Sequence, residues 1–308
     1  MPRPDTRALA ADTAIGEAKY VAAKVGPTLR RIQLGQELLR LREKAGLTLA
    51  EASANMPFDK TRLSKLENGT TKLRTGVQLR ALLESYGVQD EKDIEFLLNL
   101  HADSLSKEWW SPFRSVMPSG MALYVGLEAG ARTMRAWQPN LVFGLLQTER
   151  YARALFETAK PVEETTTEFV ERNIQLRMER KELITRRENP VELSVIMGEA
   201  AVSNVYGNRD IMREQYEEIA ELAKRDNVTV QILPSSKASY RATGDFTLLE
   251  FDPPFPTAVH ADGVGAVNVV DKETEVWAHA RKFDAMRAEA LGPGETPHFL
   301  KQLARKWM

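Results

Sequence analysis

Four polar side chains crowd one short stretch of the chain: Lys60, Thr61, Ser64 and Lys65. Leu63 and Leu66 are three residues apart, so in a helix they share the inward face, and the four polar residues turn outward at its exposed end. Lysine bonds the O6 and N7 of guanine, and threonine bonds a base edge or touches a thymine methyl. The stretch 60–74 holds five basic residues (Lys60, Arg62, Lys65, Lys72, Arg74) against one acid, Glu67. That bias suits a phosphate backbone, and the free amides of a helix N-terminus add to it. The chemistry expected is the reading of base edges between phosphate contacts. Glu67, an acid in a basic face, reads as an ion-pair partner whose loss harms folding before specificity.

Such side chains need a protruding helix. Residues 46–69 provide for two short helices and a turn. Thr48-Leu-Ala-Glu51 is a capping box. Pro57 disfavours helix at Met56, and Asp59 is a good N-cap for a helix running to Glu67. Ala50, Ala52 and Ala54 let the first helix approach the second closely. This is the helix-turn-helix arrangement, which can insert its second helix into a major groove about 12 Å wide. The alternative is a helical hairpin with a solvated charged face. Cap, turn and small-residue face together favour the DNA reading.

Three more helices surround the pair. Leu34, Leu38 and Leu41 mark one face of a first helix, stopped by Gly46. Thr75 caps a fourth helix carrying Leu79, Leu82, Leu83 and Tyr86, and a fifth follows Asp90 with Ile94, Leu97, Leu98 and Leu105.

Composition sets the frame. The 308 residues suggest two domains. The absence of Cys excludes disulfides, thiol catalysis and cysteine-ligated zinc, and four scattered His leave little for a metal site. No metal and no cofactor is expected. No apolar run reaches membrane-spanning or signal-peptide length, so a cytoplasmic, nucleoid-associated protein with no membrane partner is expected. The net charge of −1 hides an asymmetry: residues 26–90 carry +4, residues 1–25 carry +1, and residues 91–308 carry −6. A basic module is joined to an acidic body.

The expected organisation is a mobile arm over 1–25, a five-helix DNA-binding domain over 26–104, a connector over 105–120 and a larger α+β domain over 121–308. The fold class is mainly α with an α+β C-terminal part and a small sheet. In that part helices are expected near 126–136, 148–159, 163–187, 208–225, 272–291 and 295–306. Strands are expected at 191–197, 228–233, 245–251 and 264–270, with a βαβ unit across 191–233. Trp109 and Trp110 argue that the connector packs on something.

The 46–69 stretch, above all Leu63-Ser64-Lys65-Leu66-Glu67-Asn68-Gly69, resembles the Xre/Cro/phage-repressor family of helix-turn-helix domains. The resemblance implies that Lys60, Thr61 and Lys65 read base edges, with Ser64 beside them at the groove wall. It implies phosphate contacts from Thr48, Arg62, Asn68, Lys72 and Arg74, and a structural ion pair between Arg42 and Glu67. It also implies a homodimer on paired half-sites of double-stranded DNA.

A second resemblance spans most of 120–290. It rests on Tyr124-Val-Gly-Leu-Glu128, Val142-Phe-Gly-Leu-Leu-Gln-Thr148, Tyr151-Ala-Arg-Ala-Leu155, Arg177-Met-Glu-Arg-Lys-Glu-Leu183, Asn227–Pro234 and Gly244–Glu250. The chain is similar there to the actinobacterial WhiJ-like, antitoxin-like group of Xre regulators. It departs in carrying Phe143 where the group has Pro, and Val259-His-Ala-Asp262 where the group has Tyr-x-Glu. The group implies a small acidic protein partner encoded alongside; the sizeable, Trp-bearing α+β body separately allows a small-molecule effector.

No hydrolase, P-loop or zinc-protease motif occurs, so an enzyme is not expected. Trp137, Phe143, Gln147 and His260 are the candidate ligand or partner contacts. Glu128, Glu199 and Glu250 are candidate convergent carboxylates, with salt-bridged or solvated acids as the alternative. The expected function is a sequence-specific DNA-binding transcriptional regulator. The alternatives are an antitoxin-like interaction protein and a small-molecule sensor.

Overall fold

The computed structural model describes residues 26–263, 266–270 and 272–305; the arm expected over 1–25 lies outside the described residues. Five helices come first: α1 (Pro27–Lys44), α2 (Leu49–Ser53), α3 (Lys60–Glu67), α4 (Gly76–Ser85) and α5 (Glu91–Leu105). Their starts are chemical. Pro27 opens α1 without sacrificing a needed N–H. Thr48 forms a reciprocal capping box with Glu51. Asp59, Thr75 and Asp90 accept backbone N–H bonds from Arg62, Gln78 and Lys92. Gly46, Gly69 and Gly87 end their helices at positive φ.

These helices close over one apolar core built from Leu34, Leu38, Leu63, Leu66, Leu79, Leu82, Leu83, Ile94 and Leu97. Leu63 is completely buried, so truncating it to Ala costs about 2–5 kcal/mol. Gly35 has a packing reason: a Cβ there would lie 2.4 Å from the Glu67 carbonyl oxygen, so α1 crosses directly on the end of α3.

Past a 3₁₀ helix at Ser111–Val116, the chain forms α6 (Met121–Gly130) and β1 (Thr133–Gln138), then α7 (Glu149–Glu163), α8 (Thr167–Thr185) and β2 (Glu192–Gly198). Next come α9 (Glu199–Ser203), α10 (Arg209–Leu222), β3 (Val228–Leu233), β4 (Phe246–Glu250), β5 (Ala258–Gly263) and β6 (Ala266–Val270). Helices α11 (Glu273–Glu289) and α12 (Thr296–Arg305) complete it. The described strands form one sheet in the order β3-β2-β1-β4-β5-β6. β1, β2 and β3 run parallel, and β4, β5 and β6 pair antiparallel. The crossover between β2 and β3 is the βαβ unit expected over 191–233.

Strand alternation sorts side chains into two cores. Met134, Ala136, Leu193, Val195, Met197, Val228 and Val230 enter the larger core with α6, α10 and α12 residues. Trp137, Ile196, Phe246 and Leu248 face the other way, against Phe283 and Met286 of α11.

Two expectations need correction. The helix expected near 126–136 ends at Gly130, and Thr133–Gln138 is a central strand. Met134, Arg135 and Ala136 are good helix formers, but pairing with β2 and β4 on both sides overrides that preference. The single strand expected at 264–270 is half of a hairpin: Ala258–Gly263 forms a preceding strand, held by register with β4 and β6.

The N-terminal helices and the α+β part share contacts. Leu29 of α1 is buried in the larger core with Trp110, Phe113 and Val116. A Cβ on Gly126 would meet Thr28 Oγ1 at 2.1 Å, so α6 passes tightly over the start of α1.

A candidate nucleic-acid interface and a charged cavity

Helix α3 presents the face its spacing dictates. Lys60, Thr61 and Lys65 are exposed, Arg62 and Ser64 are half-buried, and Leu63, Leu66 and Glu67 are buried. Its orientation is fixed from behind. Arg42 Nε donates to Glu67 Oε1 at 2.6 Å, and Nη2 donates to Oε2 at 2.9 Å. Arg42 Nη1 also donates to the Leu47 carbonyl at 2.8 Å. The bond to Glu67 holds the Arg42 guanidinium above its ordinary pKa. Arg62 lies over the Phe58 ring at 5.8 Å.

Thr61, Arg62, Lys65, Lys72 and Arg74 line one cleft of about 1100 Å³, bounded opposite by residues 108–123. Arg31 and Arg114 also line it, so six cations face two acids, Asp59 and Glu108. Burial pushes the Lys72 ammonium below its ordinary value; Glu108 opposes this, and Arg31 and Arg114 reinforce it. A concentration of cations that disfavour one another is suited to an incoming polyanion.

Lys60 and Ser64 are not among the residues lining that cleft. The Thr48 hydroxyl is engaged in its capping box, bonding the Glu51 carboxylate at 2.7 Å. Asn68 borders a different, largely apolar groove with Leu29, Leu127 and Phe255. The structure therefore separates Thr48 and Asn68 from the cleft where Lys65, Arg62, Lys72 and Arg74 gather.

Glu108, Arg31 and Arg114 were not singled out by sequence reasoning. Glu108 is buried and accepts from the Thr28 hydroxyl. It lies 3.8 Å from Arg31 Nη1 and 3.9 Å from Lys72 Nζ. Arg31 Nε donates to the Gly69 carbonyl at 2.7 Å. One carboxylate beyond α5 thus ties the start of α1 to the loop that follows α3. The signal available was Glu108 directly before the two tryptophans of the connector.

A second site lies in the α+β part. Phe143, Gln147 and His260 line one cavity of about 270 Å³ with Tyr124, Asn140, Arg177 and Arg180. Trp137 lies outside it: the ring is buried in the α11-side core, and its Nε1 donates to the Ala242 carbonyl at 3.0 Å. Arg180 makes a buried bidentate pair with Glu128, at 2.7 and 2.8 Å. His260 stacks on Tyr124 with centroids 3.8 Å apart. Arg177 and Arg180 were missed as site residues. The signal for Arg180 was the apolar stripe of α8: Leu176, Arg180 and Leu183 fall at i, i+4 and i+7, and all are buried; Arg177 is half-buried and outside that set.

The candidate carboxylates do not converge. Glu128 pairs with Arg180, Glu250 pairs with Arg135 at 2.6 Å, and Glu199 accepts the Ser235 N–H at 2.7 Å. Among the described residues no group of three or more His, Asp or Glu is placed to hold a metal ion, and no helix is long and apolar enough to cross a membrane.

Comparison with known families gives two matches. Residues 33–96 match a helix-turn-helix domain model. Residues 121–302, more than half of the chain, match the model of a domain of unknown function, DUF5753. No curated protein matches the chain.

Proposed function

The chain belongs to the DUF5753 family and carries a helix-turn-helix domain ahead of that region, and on that premise we propose that it is a sequence-specific DNA-binding transcriptional regulator of the Xre type. The observation that carries the reading is α3 itself: Lys60, Thr61 and Lys65 are exposed on a helix whose apolar side is locked into the core. Lys60, Thr61, Ser64 and Lys65 read bases, and Arg62, Lys72 and Arg74 hold phosphates. Asn68 contributes a phosphate contact at the edge, whereas the Thr48 N–H and hydroxyl are both committed to Glu51.

In this reading the protein works in the cytoplasm at the nucleoid, as a homodimer on paired half-sites, within the WhiJ-like group. The α+β part serves dimerisation and receives a partner or effector rather than performing catalysis. A partner surface is favoured by Trp277 and Tyr240, which are 61% and 50% exposed and border one shallow apolar hollow.

The test is selection of bound duplexes from a random pool by the full-length protein. A single enriched motif with two-fold symmetry supports the reading. A pool without enrichment at moderate salt counts against it.

A further inference from the structure

Arg177 and Arg180 both line the cavity in the α+β part, and among the described residues only Arg180 makes an ion pair. Arg180 is neutralised by Glu128, which also accepts from the Tyr124 hydroxyl at 3.1 Å. Arg177, one helical turn earlier on α8, has no such partner. Its one hydrogen bond runs from Nη1 to Gln147 Oε1 at 2.5 Å. No carboxylate of the described residues lies within 4 Å of it. Phe156 covers one face of the guanidinium, at 5.1 Å from the ring centroid. A guanidinium has five N–H donors; one face is packed and one donor is used among the described residues, and Arg177 lines the cavity.

Arg177 is half-buried; a charge drawn out of water without a counterion is costly, and a ligand that supplies one relieves that cost. Burial, with the neighbouring Arg180 cation adding to it, pushes the Arg177 guanidinium down to about 10. It therefore remains charged at neutral pH, at a cost to the fold. Gln147 is held for this role: its Nε2 donates to the Val142 carbonyl at 2.6 Å, which aims Oε1 at Arg177. The cavity, about 270 Å³, falls just below the roughly 300–1,000 Å³ range of drug-sized ligand clefts, which suits a small ligand. Asn140 and Asp245 also line it, giving a polar remainder of a ligand both donors and an acceptor.

We propose that this cavity binds a small organic anion, with its carboxylate or phosphate headgroup on Arg177 and its polar remainder toward Asn140 and Asp245. The site is independent of DNA reading, since all of its lining residues lie between 121 and 260, outside the helix-turn-helix. Its wall includes Arg180, whose partner Glu128 sits on the helix that packs against α1.

The test is calorimetric titration of the full-length protein, without DNA, against two series. One contains succinate, citrate and L-glutamate; the other contains inorganic phosphate, glycerol 3-phosphate and phosphoenolpyruvate. Saturable one-site binding in either series supports the proposal, and the series that binds identifies the headgroup. Arg177→Met should weaken that binding at least about tenfold, and Arg177→Lys should restore part of it. A purely structural Arg177 predicts instead that Arg177→Met lowers the ligand-free melting temperature. The proposal expects it unchanged or raised. Absence of binding in both series, or equal binding by Arg177→Met, overturns the proposal. Because DNA is absent from the assay, failure here leaves the DNA reading standing, and failure of DNA binding leaves this site standing.

Discussion

Arg42 and Glu67 meet in a two-bond ion pair, at 2.6 and 2.9 Å, that joins the last turn of α1 to the last residue of α3. The pair is nearly dry, with side chains 11% and 4% exposed. The acid in the basic stretch is thus turned away from the face that meets DNA, and it fixes the angle at which α3 protrudes.

Removing one partner strands a buried charge. Glu67→Ala should cost about 3–5 kcal/mol, read as a lower urea midpoint. The double variant Arg42→Leu, Glu67→Leu should recover most of that loss. A Glu67→Ala protein of normal stability would remove the structural role assigned to the pair.

Base readers and phosphate holders should separate on salt titration. Lys65→Ala should weaken the selected site by about 1–3 kcal/mol and relax one base position. Arg74→Ala should weaken all duplexes alike and lower the salt slope by about one ion. Identical profiles for the two variants would contradict the division of labour.

Glu108 is expected to hold the two parts of the chain together. Glu108→Ala leaves Arg31, whose side chain is 9% exposed, without its carboxylate neighbour. A loss of about 1.5–3 kcal/mol is expected, with new protease cleavage within residues 106–120. An unchanged cleavage pattern in limited proteolysis would show that the hub does not join them.

Acid should loosen the start of α2. Hydrogen bonds from the Thr48 backbone and hydroxyl hold the Glu51 carboxyl below its ordinary 4.5. A carboxyl depressed in the folded state stabilises above its unfolded pKa, and the contribution fades as pH falls through the folded value. Stability from pH 7 to pH 3 should therefore fall less steeply in Glu51→Gln than in the parent. Parallel urea-midpoint curves would rule out this contribution.

What was readable in the sequence was local. Asp59, Thr48 and Thr75 cap the helices they precede because capping depends on three or four neighbouring residues. The exposed face of α3 follows from the spacing of Leu63 and Leu66. Strand β1 was hidden because Ala136 and Met134 favour helix, and only β2 and β4 make the strand worthwhile. The cavity was hidden for a related reason. Arg177 and Arg180 sit in a charged run that resembles a solvated helix face, and only tertiary packing covers them: Glu128 of α6 pairs with Arg180, while Phe156 of α7 and Gln147 meet Arg177. Trp137 misled in the opposite direction, since an aromatic beside a candidate pocket is equally suited to a core.

The most direct measurement is a titration of the full-length protein against its selected duplex and a scrambled duplex of equal length, across a salt series. The account predicts that the selected duplex binds at least about 10³-fold more tightly at physiological salt, and that both affinities fall steeply as salt rises. Equal affinity for the two duplexes, or affinity insensitive to salt, would contradict it.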